Sequence, residues 1–158
     1  MNLEYRQVTE ISEDDYKLLL DADPYKEIVD SYISRSTVFE VSNVDKLVGI
    51  VAMLPTRPET LEIVNIAVAP EQQNLGIGTL ILQKMITSAK AAGYSTLEIG
   101  TGSNSYQQLH VYQKVGFRMN WIDHDFFVKN YPQKIIDKYL TFDGFVLRDM
   151  VRLTMKLK

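Results

Sequence analysis

The sequence predicts a mixed α/β fold (an α+β arrangement), with one sheet carrying helices on both faces. Three observations carry this. Segments with the period of a helix and segments with the period of a strand alternate along the whole chain. Their order, β-α-α-β-β-β-α-β-α-β-β, lacks the strict βαβ alternation of a doubly wound sheet. The 158 residues, 46% hydrophobic and 23% charged, suit one compact domain spanning 1–158. A chain of that length buries roughly 70% of its unfolded surface and needs no covalent staple.

Leu3 to Val8 is the first expected strand. Ser12 is placed as an N-cap with Asp15 three residues on, which opens a short helix through Leu18, Leu19 and Leu20. Asp23-Pro24 is the expected start of a second helix, whose buried face is Tyr25, Ile28, Val29, Tyr32 and Ile33. Thr37 to Val41 is a strand, and Leu47 to Leu54 is apolar enough to be a buried central strand. Pro55 to Glu59, with two prolines, is expected to be a loop. Leu61 to Val68 is the next strand, stopped by Ala69-Pro70. A helix from Gly78 to Ala92, capped by Gly93, puts Leu82, Met85, Ile86 and Ala89 on one face. Tyr94 to Ile99 is a strand, Gly100 to Asn104 a flexible connection, and Ser105 to Val115 a helix ended by Gly116. Phe117 to Val128 and Phe145 to Leu157 are expected as long strands. Asn130 to Gly144 is the loop between them, with a helical turn at Gln133 to Tyr139.

Composition narrows the function classes. The absence of cysteine excludes disulfides, zinc-thiolate sites and a cysteine nucleophile, and fits a reducing, cytoplasmic setting. A net charge of -3 argues against general nucleic-acid binding. No apolar run approaches the roughly 20 residues of a membrane span, and Met1 to Arg6 has no signal pattern. Two histidines, His110 and His124, make a metal site unexpected.

The segment Gln73-Asn74-Leu75-Gly76-Ile77-Gly78, continuing into Thr79, lies between a strand and a helix. The first amides of a helix lack intrahelical acceptors, and the helix dipole adds positive potential there, so such a turn suits a phosphate. It is not a Walker A loop, since no Gly-Lys-Ser/Thr follows. Nor is it a dinucleotide fingerprint, since position 81 is Ile. On its own it remains equally a plain strand-to-helix turn.

Gln73-x-x-Gly76-x-Gly78, after Asn65-Ile66-Ala67-Val68-Ala69-Pro70, resembles the acetyl-CoA loop of the GNAT family of N-acetyltransferases. Tyr112-Gln113-Lys114-Val115-Gly116-Phe117 resembles that family's later Leu-Tyr-x-x-x-Gly-Phe element. Two ordered motifs are far more specific than either alone, and the family's element order fits from Leu3 to Leu157. The sequence departs from the pattern in three places. Ser105, preceded by Asn104, stands where the family often has Asn. Val111 stands where leucine is usual, and Gly100 to Asn104 is slightly long.

The resemblance implies a central, mostly antiparallel twisted sheet of about seven strands. It also implies transfer of acetyl from acetyl-CoA, used as a cosubstrate, to a primary amine in a ternary complex. The contrasting reading is a catalytically silent acetyl-CoA sensor or partner module of the same fold. The expected cofactor contacts are Ile66, Ala67, Val68, Gln73, Asn74, Leu75, Gly76, Ile77, Gly78, Thr79, Asn104 and Ser105. Tyr112 is the implied general acid toward the departing thiolate. Glu62 and Glu98 compete as general base, with a water chain as a third route. Asn65 is placed either to orient the reactants or to bond the backbone at a bulge.

Asp123-His124-Asp125-Phe126-Phe127 is the conspicuous cluster outside these motifs. On a continuous strand, Trp121, Asp123 and Asp125 share one face, a pairing of aromatic and carboxylate that suits an ammonium group. His124 then falls on the other, apolar face as a core histidine. The expected partner is a small-molecule or peptide amine, with a homodimer as an option and neither nucleic acid nor membrane.

Overall fold

A computed structural model describes residues 1–158. The chain begins with β1 (Leu3–Val8), α1 (Glu13–Ala22), α2 (Lys26–Ile33), β2 (Thr37–Asn43), β3 (Lys46–Arg57) and β4 (Thr60–Val68). A 3-10 turn leads to α3 (Ile77–Ala91), β5 (Thr96–Gly102), α4 (Tyr106–Val115) and β6 (Arg118–Asp123). An excursion follows: α5 (Phe126–Asn130), α6 (Gln133–Tyr139), β7 (Thr141–Phe142) and β8 (Phe145–Val146), before β9 (Met150–Lys156) returns to the sheet. Seven strands form one sheet in the order β1-β2-β3-β4-β5-β9-β6, and β7-β8 is a separate hairpin. All pairs in the sheet are antiparallel except β4·β5. No helix is long and apolar enough to cross a membrane.

Both faces of the sheet are covered. On one face Val51, Ile63, Ile81, Met85, Ile99 and Leu153 join α3 and α4 to the strands. On the other, Leu18, Leu19, Val29, Ile50 and Ala67 join α1 and α2. A third, small core of Phe127, Tyr131, Ile136, Leu140 and Leu147 packs the excursion against Tyr25 and Ile28. The expected capping box holds α1 in place: Asp15 N donates to Ser12 Oγ at 3.1 Å, and Ser12 N donates to Asp15 Oδ2 at 3.0 Å.

Two irregularities in β4 open the sheet. Ala52 pairs with Asn65 but Met53 pairs with Ile63, so Val64 is an extra residue, a bulge. An extra residue reverses which face each later side chain takes. Leu61 and Ile63 belong to the α3/α4 core before the bulge, and Ile66 and Val68 pack on it afterwards. Glu62, Val64, Asn65 and Ala67 therefore face α1 and α2. In addition, β4 pairs with β5 only over Thr60–Ile63 and Thr96–Ile99. Beyond them the two strands splay apart, and the edge of Ile66 to Val68 away from β3 has no strand partner.

Several expectations are corrected. The second helix starts at Lys26, with Asp23 and Pro24 ahead of it. Asp23 instead ends α1, its amide donating to Leu19 O. Pro55 lies inside β3 rather than in a loop. It is tolerated there because β2 stops pairing at Met53, so the missing N–H interrupts no β2 ladder. Gly100 to Gly102 continue β5 instead of forming a flexible connection. The strand expected from Phe117 to Val128 stops at Asp123, where Asp125 takes φ 60° and α5 begins. The short apolar run Phe126-Phe127-Val128 is equally compatible with one helical turn, and helix packing decides it. The strand expected from Phe145 is likewise split into β8 and β9.

Leu19 is fully buried between α1 and the sheet. Leu19→Ala should cost about 2–5 kcal/mol, read as a lower urea midpoint with an unchanged m-value.

Candidate active site

The splay holds a cleft of about 290 Å³. Its walls are Ile66, Ala67 and Val68 of β4, Gln73 to Thr79 apart from Leu75, and Gln107, Gln108, Val111 and Tyr112 of α4. Asp21 and Ala22 at the end of α1 close one side. No side chain caps the N-terminus of α3, so its first amides are available to an anion in the cleft. Gly76 is the N-cap, at φ 84°, a conformation side chains disfavour, and an added Cβ there meets nothing within 4 Å. At Gly78 an added Cβ would rest 3.8 Å from Val68 Cγ2, ordinary contact. Gly76 is thus the glycine that the turn requires.

Of the expected cofactor contacts, Ile66, Ala67, Val68, Gln73, Asn74, Gly76, Ile77, Gly78 and Thr79 line the cleft. Leu75, Asn104 and Ser105 do not: Leu75 is exposed, and Ser105 sits at the N-cap of α4. Gln73 Nε2 donates to Val68 O at 3.1 Å, tying the loop to the strand end. Sequence reasoning missed Asp21, Ala22, Gln72 and Leu82 of the lining, and also Gln107, Gln108 and Val111, which do carry a signal. Gln108 lies one turn before Tyr112 and Gln107 one turn before Val111, so the four make two adjacent rows along α4.

On the opposite face of the sheet, pairing brings the two candidate bases together. Glu62 and Glu98 are register partners in the parallel pair β4·β5. Glu98 is 1% exposed and is clasped by Arg57. Glu62 is less enclosed, at 15% side-chain exposure, and accepts from Arg152 Nη1 at 3.3 Å. The other end of the Arg152 guanidinium donates to Asp123 Oδ2 at 3.1 Å. Its central carbon stands 5.8 Å from the Trp121 ring centroid and 5.3 Å from that of Phe126. Gly100 makes room for it, since a Cβ there would lie 2.6 Å from Met150 Sδ and 3.3 Å from Arg152 Nη1. Neither Arg57 nor Arg152 was foreseen, because nothing local in the sequence marks an arginine whose partner is 41 or 90 residues away.

Trp121 and Asp123 therefore do share a face with Glu62. Asp125 does not: it has left the strand and is bonded by Arg148 Nε at 2.9 Å. His124 is not a core residue either, being 76% exposed with Nδ1 3.5 Å from Asp149.

Asn65 lies on that same face beyond the bulge, 5% exposed. Its Nδ2 donates to Leu19 O at 3.0 Å and to Tyr32 Oη at 2.9 Å, while its Oδ1 has no partner. Tyr32 Oη in turn donates to Asp23 Oδ2 at 3.3 Å, and Tyr131 Oη donates to Asp23 Oδ1 at 2.8 Å. Asn65 is thus bonded across elements, to the backbone of α1 and the phenol of α2.

Burial raises the Glu62 carboxyl above its ordinary range; Arg152 opposes the rise and the neighbouring Glu98 charge adds to it. Burial alone pushes the Tyr112 phenol up to about 12.

The sequence profile of the acetyltransferase (GNAT) family matches residues 5–117. An uncharacterised N-acetyltransferase of Bacillus subtilis, YvbK, is 45% identical over 148 residues, 94% of this chain and 92% of that protein. A solved Bacillus subtilis acetyltransferase in complex with CoA superposes with a TM-score of 0.90 at 43% identity, covering 99% of this chain and 100% of the other. A GNAT family acetyltransferase from Elizabethkingia anophelis with acetyl-CoA bound gives 0.89 at 39% identity, with 98% of each chain covered.

Arg152 is the nearest opposition to burial at Glu62, so Arg152→Met should raise the Glu62 carboxyl further. A carboxyl-carbon NMR titration reads this as an upward shift of the Glu62 midpoint. Because the variant also strands Asp123, it should lose about 3 kcal/mol of unfolding free energy.

Proposed function

The chain belongs to the acetyltransferase (GNAT) family, and from that premise we propose that it transfers acetyl from acetyl-CoA to a primary amine by direct attack in a ternary complex. The observation that carries this reading is the opening between β4 and β5. It gives one cleft with a helix N-terminus at its end, a tyrosine in its wall, and a carboxyl with a raised pKa on the far face.

The α3 amides behind Gly76 take the pyrophosphate of coenzyme A. The pantetheine runs along the free edge of Ile66 to Val68, as an added strand would. Both coenzyme-bound relatives support this side of the reading. The amine approaches from the other face, past Glu62.

The amine must be neutral to attack. Glu62, ionised, takes its proton directly or through one water. The nitrogen then forms a bond to the thioester carbonyl carbon, and the tetrahedral intermediate collapses as the C–S bond breaks. The sulfur leaves with the electron pair. Glu62 suits the base role better than Glu98, which is enclosed and held by Arg57. Glu98 contributes as a fixed negative neighbour that raises Glu62. For Tyr112 the pKa narrows the role. A thiol of ordinary pKa, near 8.5, is a stronger acid than a phenol at about 12. Complete proton transfer from the phenol is therefore uphill. Its contribution is a hydrogen bond to the sulfur as charge develops there, with Tyr112 protonated throughout the working range.

Thiol release from acetyl-CoA, followed over polyamines, aminoglycosides, amino acids and peptides, tests the reading. Release with at least one amine is expected; tight acetyl-CoA binding with no release on any would favour a sensor. For an accepted amine, kcat/KM should rise with pH through a midpoint above the ordinary Glu value of about 4.3, because Glu62 acts ionised and its pKa is raised. Glu62→Gln should remove that midpoint along with most of the rate. Tyr112→Phe should lower kcat by about 10- to 100-fold and leave acetyl-CoA affinity within twofold. Separately, Gly76→Val puts a β-branched side chain at positive φ and into the cleft mouth. Calorimetry should show at least a tenfold loss of coenzyme A affinity, with a folded circular-dichroism spectrum.

A further inference from the structure

Most carboxylates around the proposed reaction centre are matched by arginines. Arg152 serves Glu62 and Asp123, Arg57 serves Glu98, and Arg148 serves Asp125 just past the strand. Asp23 forms no ion pair with any Lys, Arg or His. It is held by neutral donors alone: the phenols of Tyr131 and Tyr32 and the backbone amide of Tyr25. Such donors position a carboxylate without balancing its charge, and burial raises its pKa. An uncompensated, half-buried carboxylate is costly to keep, which is a reason to seek its missing partner.

The surroundings specify that partner. The rings of Tyr25 and Tyr131 stand 6.0 Å apart at 48°, and Tyr32 closes the third side through its bond to Asp23. Aromatic faces around a carboxylate suit an ammonium ion, by charge and by cation-π attraction. A second, independent observation sits next to it: the Oδ1 of buried Asn65, one phenol away, is an acceptor with nothing to accept from.

Asp23 is also continuous with the proposed reaction centre. Arg152, bonded to Glu62, packs on Phe126; Phe126 meets Tyr131 at 6.3 Å between centroids; and Tyr131 bonds Asp23. On the coenzyme side, Asp21 and Ala22 line the cleft directly. Along β4, Glu62 and Asn65 are separated by about 10 Å of strand.

We infer that Asp23, walled by Tyr25, Tyr32 and Tyr131, is a subsite for a second cationic group of the acceptor, so that the favoured substrate carries two amines. The near amine lies at Glu62 and is acetylated; the far ammonium docks at Asp23. Arg152 and Arg57 already neutralise the carboxylates around the reacting amine, which lets it be present uncharged, while the unneutralised carboxylate is reserved for the end that stays charged. The inference rests on the acetyl-transfer reading and extends it to a substrate class.

Matched pairs of n-alkylamines and α,ω-diaminoalkanes, from three to eight carbons, test it through thiol release from acetyl-CoA. At one or two lengths the diamine should exceed the monoamine in kcat/KM by at least about tenfold, the worth of one hydrogen bond to a charged group. In Asp23→Asn, which keeps shape and removes charge, that ratio should fall toward one, mainly through KM. A ratio near one at every length in the wild-type protein overturns the inference, whether or not the variant folds. A ratio that survives in a folded Asp23→Asn overturns it as well. If no amine releases thiol, it is the acetyl-transfer reading that has failed. The subsite is then decided by calorimetric titration of the diamines into the coenzyme A-saturated protein. Binding weakened at least about tenfold in Asp23→Asn supports it, and no binding to wild type overturns it.

Discussion

The bulge at Val64 is the constraint on which the site depends. A β-strand carries alternate side chains to opposite faces, so a regular β4 would send Glu62, Val64, Ile66 and Val68 to one side. The extra residue divides them. Glu62 faces α1 and α2, whereas Ile66 and Val68 pack on the α3/α4 core. It also turns β4 away from β5, and the two strands are paired for only four residues each. A bend and a change of face come from the same insertion. A cleft between two strands is normally excluded by their hydrogen bonds; here the ladder ends where the cleft begins.

The polar groups around the bulge keep that opening in one shape. Asn65, the first residue after the extra one, would be an unsatisfied amide in a wall of Leu19, Ile50 and Ala67. It is instead bonded to Leu19 O and Tyr32, which fixes α1 and α2 relative to β4. Arg152 plays the corresponding part on the other side, joining β4 through Glu62 to β6 through Asp123 across β9. Buried ion pairs give little net stability, but these bonds tie β4 to α1 and α2 and tie β9 to β4 and β6. Their effect is to fix side chains and helices relative to the strands around the opening.

This explains what was legible in the sequence. The loop from Gln73 to Gly78 is a local object: a strand stop, a glycine required at positive φ, and a helix start lie within ten residues, and their spacing is the signal. The Ser12–Asp15 cap and the amphipathic helices were readable for the same reason. The bulge was not readable from the residues themselves, since Leu61 to Val68 is an unbroken β-favouring run; it entered only as one option at Asn65 beside the family resemblance. Nor was the end of β6. Trp121 to Val128 is rich enough in β-favouring residues to be taken for a strand, and the break at Asp125 goes with packing of Phe127 and Tyr131 against Tyr25 and Ile28. With the strand ended, Asp125 left the shared face and His124 was exposed. Trp121 and Asp123, still on the strand, kept the positions that period two assigns them.

The same distinction separates the two halves of the proposed reaction. The coenzyme side is made by backbone, α3 amides and a free strand edge, which a short motif can encode. The acceptor side is made by side chains on and beside α1, α2, β4, β6, α5 and β9, and most of the contacts that join them span 29 to 108 positions. Charge on that side is decided by pairing. At Glu62 burial raises the carboxyl while Arg152 opposes the rise, whereas Asp23, set among three tyrosines, has no such arginine. A carboxylate's identity in the sequence is the same in both cases. The difference is which cation the fold delivers to it, and a one-dimensional pattern of acidic residues, such as Asp123-His124-Asp125, cannot express that.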